Sequence, residues 1–147
     1  MKALNEMKLS FDSRSSNEAF ARTAVGSFIA QLDPTVAELS DIKTAVSEAV
    51  TNCVVHAYGD SIGKISINVK IIDSNTVSIR IRDTGVGIEN VKQAMEPLYT
   101  TSPDDERAGL GFAVMQSFTD GVRVNSRVGK GTTVTLLKRI ACRVNNG

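Results

Sequence analysis

The sequence predicts an α+β domain with helices covering an antiparallel sheet. Two observations carry this. Ile65 to Ile81 and Val122 to Lys138 each read as a pair of alternating apolar strands around a turn, the pattern of a hairpin with one buried face. Between and before them lie stretches whose apolar residues recur at helical spacing. At 147 residues the chain is long enough for one domain with a real core.

Taken in order, Met7-Lys8-Leu9-Ser10-Phe11 alternates and suits a short first strand. Ser15-Ser16-Asn17-Glu18 has the Ser-x-x-Glu form of a capping box and predicts a helix to about Leu32. Phe20, Ala24, Phe28, Ile29 and Leu32 form its expected apolar face, Pro34 closes it, and Arg22 points away. A second helix is expected over Ser40 to Tyr58, with Ile42, Val46, Ala49, Val50, Cys53, Val54 and Ala57 inward. A turn at Gly59 to Gly63 leads into strands Ile65 to Ile71 and Val77 to Ile81, joined by Asp73-Ser74-Asn75.

The second strand runs into Asp83-Thr84-Gly85-Val86-Gly87, and a short helix is expected around Glu89 to Met95. Pro97 to Ala108 is polar, carries two of the three prolines and reads as a loop able to move. Gly109-Leu110-Gly111-Phe112 opens a further helix with Phe112, Met115 and Phe118 among its apolar positions. Val122 to Val128 and Thr132 to Lys138 make the last hairpin, across Gly129-Lys130-Gly131, and residues 139–147 are expected to fray.

Composition narrows the function. With 17 basic and 16 acidic residues the chain is nearly neutral, which argues against a broad nucleic-acid footprint. Neither cysteine suggests a metal site, since Cys53 falls on an apolar helix face and Cys142 near the end. No signal peptide and no long apolar run are evident, so a cytosolic protein with no membrane partner is expected.

Glu48, Asn52 and His56 stand at i, i+4 and i+8, one polar row on the second helix. A carboxylate one turn from an amide oxygen pairs a candidate base with a candidate Mg²⁺ ligand. An ordinary half-exposed helix accounts for the same row. His56 suits the helix end, where a cation meets the dipole favourably.

Three glycine clusters follow, and a tight turn explains each taken singly. Gly129-Lys130-Gly131-Thr132 is no Walker A loop, and the third glycine of a dinucleotide fingerprint is missing after both Gly85-x-Gly87 and Gly109-x-Gly111. Together they say more. Gly109-Leu110-Gly111 at a helix start offers free N–H groups to an anion. Ahead of it Thr100, Thr101, Ser102 and Arg107 are the equipment of a phosphate lid. Asp83 can accept a hydrogen bond from an amino group while Gly85 and Gly87 let the backbone approach a flat ring. Base pocket, lid and metal-binding helix are three parts of one nucleotide site.

Glu48-x-x-x-Asn52, Asp83-x-Gly85-x-Gly87, Gly109-x-Gly111 and Gly129-x-Gly131-Thr132 resemble, in order, the motif boxes of the GHKL ATPases. That resemblance implies the Bergerat fold, a two-layer α/β sandwich whose mixed, mostly antiparallel sheet has helices on one face. Asn17 to Arg22, Ala30 to Pro34, Ile42 to Asn52, Pro97 to Thr101 and Gly109 to Phe112 are similar to the short, free-standing serine kinases that act as anti-sigma factors in sporulation. Two positions depart: Ala57 stands where Gly is expected and Thr84 where Glu is expected.

The resemblance implies a homodimer that binds ATP and Mg²⁺, sequesters a sporulation sigma factor and phosphorylates a serine of an anti-anti-sigma factor. By the same resemblance Asn52 ligates Mg²⁺, Asp83 binds adenine, Arg107 meets the terminal phosphate and Glu48 is the general base. Gly85, Gly87, Thr100, Thr101, Gly109, Gly111 and Thr132 complete the nucleotide contacts, and Arg22 meets the protein partners. Three other readings compete. One is a nucleotide-gated binding module in which Glu48 only orients groups. Another is the related kinase of a stress sigma factor. The last is a histidine-kinase catalytic domain, disfavoured because the only histidine lies within the nucleotide-site helix.

Overall fold

The computed structural model describes residues 3–96 and 111–141. Five strands form one sheet: β1 (Asn5–Asp12), β2 (Lys64–Ile71), β3 (Thr76–Asp83), β4 (Gly121–Arg127) and β5 (Gly131–Arg139). Their spatial order is β1-β2-β3-β5-β4, and all four pairings are antiparallel. The expected α+β sandwich is present, but its sheet is not mixed. β3 and β4 run in the same direction, yet β5 folds back between them and separates them, so no parallel ladder forms among the described residues.

Register turns the alternation of each strand into rows across the sheet. Leu9, Ile67, Ile81, Val134 and Val124 form one inward row, and Met7, Val69, Ile79, Leu136 and Val122 the next. Ile67, Val69, Ile79, Ile81 and Leu136 are at most 1% exposed. Burying such a side chain contributes roughly 1.5–3 kcal/mol. The opposite face carries Lys8, Ser10, Ser66, Asn68, Arg80 and Arg82, side chains that belong in water.

Three helices cover the inward rows: α1 (Asn17–Ile29), α2 (Val36–Asn52) and α4 (Gly111–Phe118), with a short α3 (Val91–Ala94) beside β4. α2 lies between α1 and α4 and packs on both. Its start is a capping box: Thr35 Oγ1 accepts the Glu38 N–H at 3.0 Å, and Glu38 Oε1 accepts the Thr35 N–H at 2.8 Å. The capping box expected at Ser15 to Glu18 does not form. α1 begins at Asn17 with Ser16 as N-cap and no side-chain cap, and the Asn17 amide instead donates to the Asp12 carbonyl at 2.9 Å.

The buried face of α1 is also rotated from expectation, to Ala21, Val25, Gly26 and Ile29. Close approach to α2 selects small side chains; a Cβ on Gly26 would crowd the Lys43 side chain. Phe20 is displaced to the rim, 55% exposed, edge-on to Phe11 at 6.3 Å. The chain end holds longer than expected too. Arg139 is still strand, Ile140 is 1% exposed, and the Ala141 N–H donates to Glu38 Oε2 at 2.6 Å. No helix among the described residues is long and apolar enough to cross a membrane.

Candidate nucleotide site

The site grows out of the third inward row, where the core turns polar. Beyond Phe11 and Ile65 this row continues as Asp83, Thr132 and Ser126, at positions whose parity would otherwise deliver apolar side chains. Asp83 is 5% exposed and its carboxylate is tightly held. Oδ1 accepts the Gly85 N–H at 2.9 Å and the Thr132 N–H at 3.2 Å, while Oδ2 accepts the Cys53 thiol at 3.4 Å. The Thr132 hydroxyl lies 2.7 Å from Ser126 Oγ, which also accepts the Ile88 N–H at 2.7 Å.

Backbone geometry demands glycine at three positions around Asp83. A Cβ on Gly85 would collide with the Ala57 carbonyl. Gly131 has φ +111° and passes against the Asp83 carbonyl, a conformation and an approach that a side chain would forbid. Gly87 lies against the Arg127 carbonyl, and the Gly129 N–H donates to the Val86 carbonyl at 2.8 Å. The β4–β5 turn thus holds one side of the loop after β3.

The other side is held by an unexpected element. The helix expected to run without a break to Tyr58 is α-helical only to Asn52, and Cys53–Tyr58 is a π-helix closed by Gly59 at φ +57°. His56 therefore lies in the π-helix, whereas Glu48 and Asn52 lie on the α-helix before it. The π-helix meets the loop residue by residue. Cys53 reaches Asp83, the Tyr58 hydroxyl accepts the Thr84 N–H at 2.8 Å, and the Ala57 carbonyl accepts the Val86 N–H at 2.9 Å. Burial, followed by the neighbouring Asp83 charge, pushes the Cys53 thiol well above its usual range.

Glu48 and Asn52 are half-buried on the last turns of α2. The start of α4 comes up against Asn52: a Cβ on Gly111 would stand 3.0 Å from Asn52 Oδ1. Asn52 ends α2 and immediately precedes Cys53, the residue whose thiol meets Asp83. No group of three or more His, Cys, Asp and Glu side chains among the described residues could hold a metal ion. The Asn52 amide oxygen, half-buried beside Gly111, is a single neutral oxygen donor, the kind of ligand that suffices only for an ion such as Mg²⁺ whose other ligands are water and phosphate oxygens. Thr100, Thr101, Arg107 and Gly109 lie outside the described residues, as does Cys142. Arg22 is on the exposed side of α1, 4.0 Å from Glu18 and distant in sequence from every glycine box.

Residues 11–138 match the histidine kinase-like ATPase domain family. An anti-sigma F factor of Caldanaerobacter subterraneus subsp. tengcongensis is 57% identical over 136 residues, which is 92% of this chain and 94% of that protein. The chain belongs to the anti-sigma F factors, within the histidine kinase-like ATPase family. The anti-sigma F factor of Geobacillus kaustophilus is 54% identical over 93% of this chain and 94% of its own length. Among solved structures, the RsbU and RsbW domains of a Mycobacterium tuberculosis protein share the fold, with TM-score 0.67 and 21% identity over 92% of this chain and 32% of that one.

Within this anti-sigma F chain the two departures from the motif pattern are neighbours in space. Ala57 is the wall that Gly85 passes, and Thr84 carries the hydroxyl 3.2 Å from the Tyr58 oxygen. Sequence reasoning missed Ser126, Tyr58 and the polar role of Cys53. Strand parity was a signal for Ser126, two residues beyond the inward-facing Val124. Nothing local marks Cys53, because its contact with Asp83 spans 30 residues.

Proposed function

We propose that residues 1–147 form one kinase domain that binds ATP and Mg²⁺, transfers phosphate to a serine of an anti-anti-sigma factor, and holds a sporulation sigma factor, sigma F. It acts as a homodimer in the cytoplasm. One observation supports the nucleotide reading above all: a buried carboxylate, pinned by two backbone N–H groups, sits beside the helix that carries Glu48 and Asn52. The relatives' name, anti-sigma F factor, supports the sigma-factor reading.

Each residue then has a task. Asp83 accepts a hydrogen bond from the amino group of adenine, and Gly85 and Gly87 shape the loop that borders the ring, packed on the Ala57 and Arg127 carbonyls. The amide oxygen of Asn52 serves as the protein ligand for Mg²⁺ beside phosphate oxygens. Bound Mg²⁺ offsets the charge of the triphosphate. Glu48, one turn earlier, takes the proton of the incoming serine hydroxyl as its oxygen bonds to the γ-phosphorus and the bond to the β–γ bridging oxygen breaks. Base catalysis of this kind contributes ~10²–10⁴-fold. Gly111 receives phosphate at the start of α4, Gly109, Thr100 and Thr101 are further nucleotide contacts, Thr132 braces Asp83, and Arg107 brings positive charge to the terminal phosphate.

Glu48→Gln tests the kinase reading. It keeps shape and hydrogen bonding but removes the base, so serine phosphorylation should fall by ~10²-fold or more while ATP affinity changes little. Phosphorylation at the parent rate would leave a nucleotide-gated binding module instead.

A further inference from the structure

We propose that Cys53 is a positioning residue that sets the base specificity of the nucleotide site through its thiol, an inference that rests on Asp83 being the acceptor for the base. The hydrogen-bond geometry of the carboxylate carries the argument. Oδ1 receives two backbone N–H groups, from Gly85 and Thr132, which occupies both its lone-pair directions. Oδ2 receives the Cys53 thiol at 3.4 Å, leaving one direction open. The three donors come from β5, the loop after β3 and the π-helix, so the plane of the carboxylate is held from three elements.

A carboxylate held this way is a pure acceptor with one directed vacancy. It suits an amino group on the edge of a purine and opposes a carbonyl oxygen in the same place. Adenine carries the amino group and hypoxanthine the oxygen, so the arrangement selects ATP over inosine triphosphate. Without the thiol, Oδ2 has two empty directions, the carboxylate is held at Oδ1 alone and can tilt about it, and a buried charge has lost one of its three donors. The amino group then meets a less well aimed acceptor, so the margin over a carbonyl narrows.

The π-helix is what makes the contact. It begins at Cys53, one residue after Asn52, and its far end fastens the same loop through Tyr58 and Ala57. A buried cysteine at 4% exposure is otherwise ordinary core. The thiol's direction toward a carboxylate sets this one apart.

The test compares affinity for ATP with affinity for inosine triphosphate in the full chain, in Cys53→Ala and in Cys53→Ser. Serine keeps a donor and alanine does not, while both lose the volume of sulfur. The ratio of the two affinities should fall about fivefold or more in the alanine variant and stay near the parent value in the serine variant. An unchanged ratio in Cys53→Ala, or equal losses in both variants, overturns the proposal. Asp83→Asn separates the underlying reading: if that change leaves the ratio untouched, the base pocket itself is elsewhere. Should the alanine variant fail to fold, the S–H stretching band of the parent protein decides. The band that disappears in Cys53→Ser should lie at hydrogen-bonded frequency and shift in Asp83→Asn. A free-thiol frequency overturns the proposal.

Discussion

Tyr58 and Thr84 are joined one residue beyond Asp83: the Tyr58 hydroxyl accepts the Thr84 N–H at 2.8 Å and donates to the Lys64 carbonyl at 2.6 Å. One phenol thereby ties the end of the π-helix to the edges of β2 and β3. Its ring also fills the space beside Gly63, where a Cβ would collide with it.

Tyr58→Phe keeps the ring and leaves the Thr84 N–H and the Lys64 carbonyl without their partner. The loss should be ~1–2 kcal/mol in urea unfolding, with ATP affinity reduced because the loop after Asp83 is less well held. Parent-like values for both quantities would show that the hydroxyl bridge contributes nothing.

Asn52→Ala tests the metal assignment. Alanine is a good helix former at the end of α2, so the thermal midpoint should move by only a few degrees. Calorimetric titration should show loss of the Mg²⁺-dependent part of ATP binding. Tight Mg·ATP binding by the folded variant would move the metal ligand elsewhere.

Arg22→Ala tests the exposed side of α1 as the place where protein partners dock. The Arg22–Glu18 pair is long at 4.0 Å and exposed, so its loss should barely change stability. A pull-down with the sigma factor and with the anti-anti-sigma factor should show one or both complexes weakened, by ~1 kcal/mol or more if the side chain is a hot spot. ATP affinity should be untouched. Normal capture of both partners would make Arg22 a solvated surface residue.

Cys53 also gives the fold an alkaline limit. Its folded pKa is raised by burial and by Asp83, against about 8.5 in an unfolded chain. The folded state therefore holds the thiol proton after the unfolded chain has released it. Stability from the protonated thiol is fully present below pH ~8.5 and is lost as pH rises from there toward the folded value. Urea midpoints measured from pH 7 to 10 should decline, and Cys53→Ser should decline less steeply. Parallel curves would show that the thiol does not couple folding to pH.

The strands and their inward faces were legible in the sequence because alternation is local: Ile65, Ile67, Val69 and Ile71 declare one face without knowledge of any partner. The glycine boxes were legible for a related reason. Where backbone meets backbone, as at Gly85 and Gly131, no other residue type fits, so position alone betrays the contact. Asp83 belongs to this group, a charged residue in a strand whose parity points it into the core.

Tertiary structure decided what depends on distance through space. Ala21, Val25, Gly26 and Ile29 rather than Phe20 form the buried face of α1, because close approach of α1 to α2 at Gly26 leaves no room for an aromatic ring there. The capping box formed at Thr35 and Glu38 rather than at Ser15 and Glu18, because Asn17 is engaged by the end of β1. The order β1-β2-β3-β5-β4 required β5 to pair with β3 across the sheet, which no hairpin signal encodes. The π-helix at Cys53–Tyr58 is likewise invisible in periodicity, since a six-residue change of pitch leaves the same apolar residues inward. Its contacts with Asp83, Thr84 and Val86 set it against the loop after β3, and those arise only when residues some 30 positions apart are brought together by the sheet.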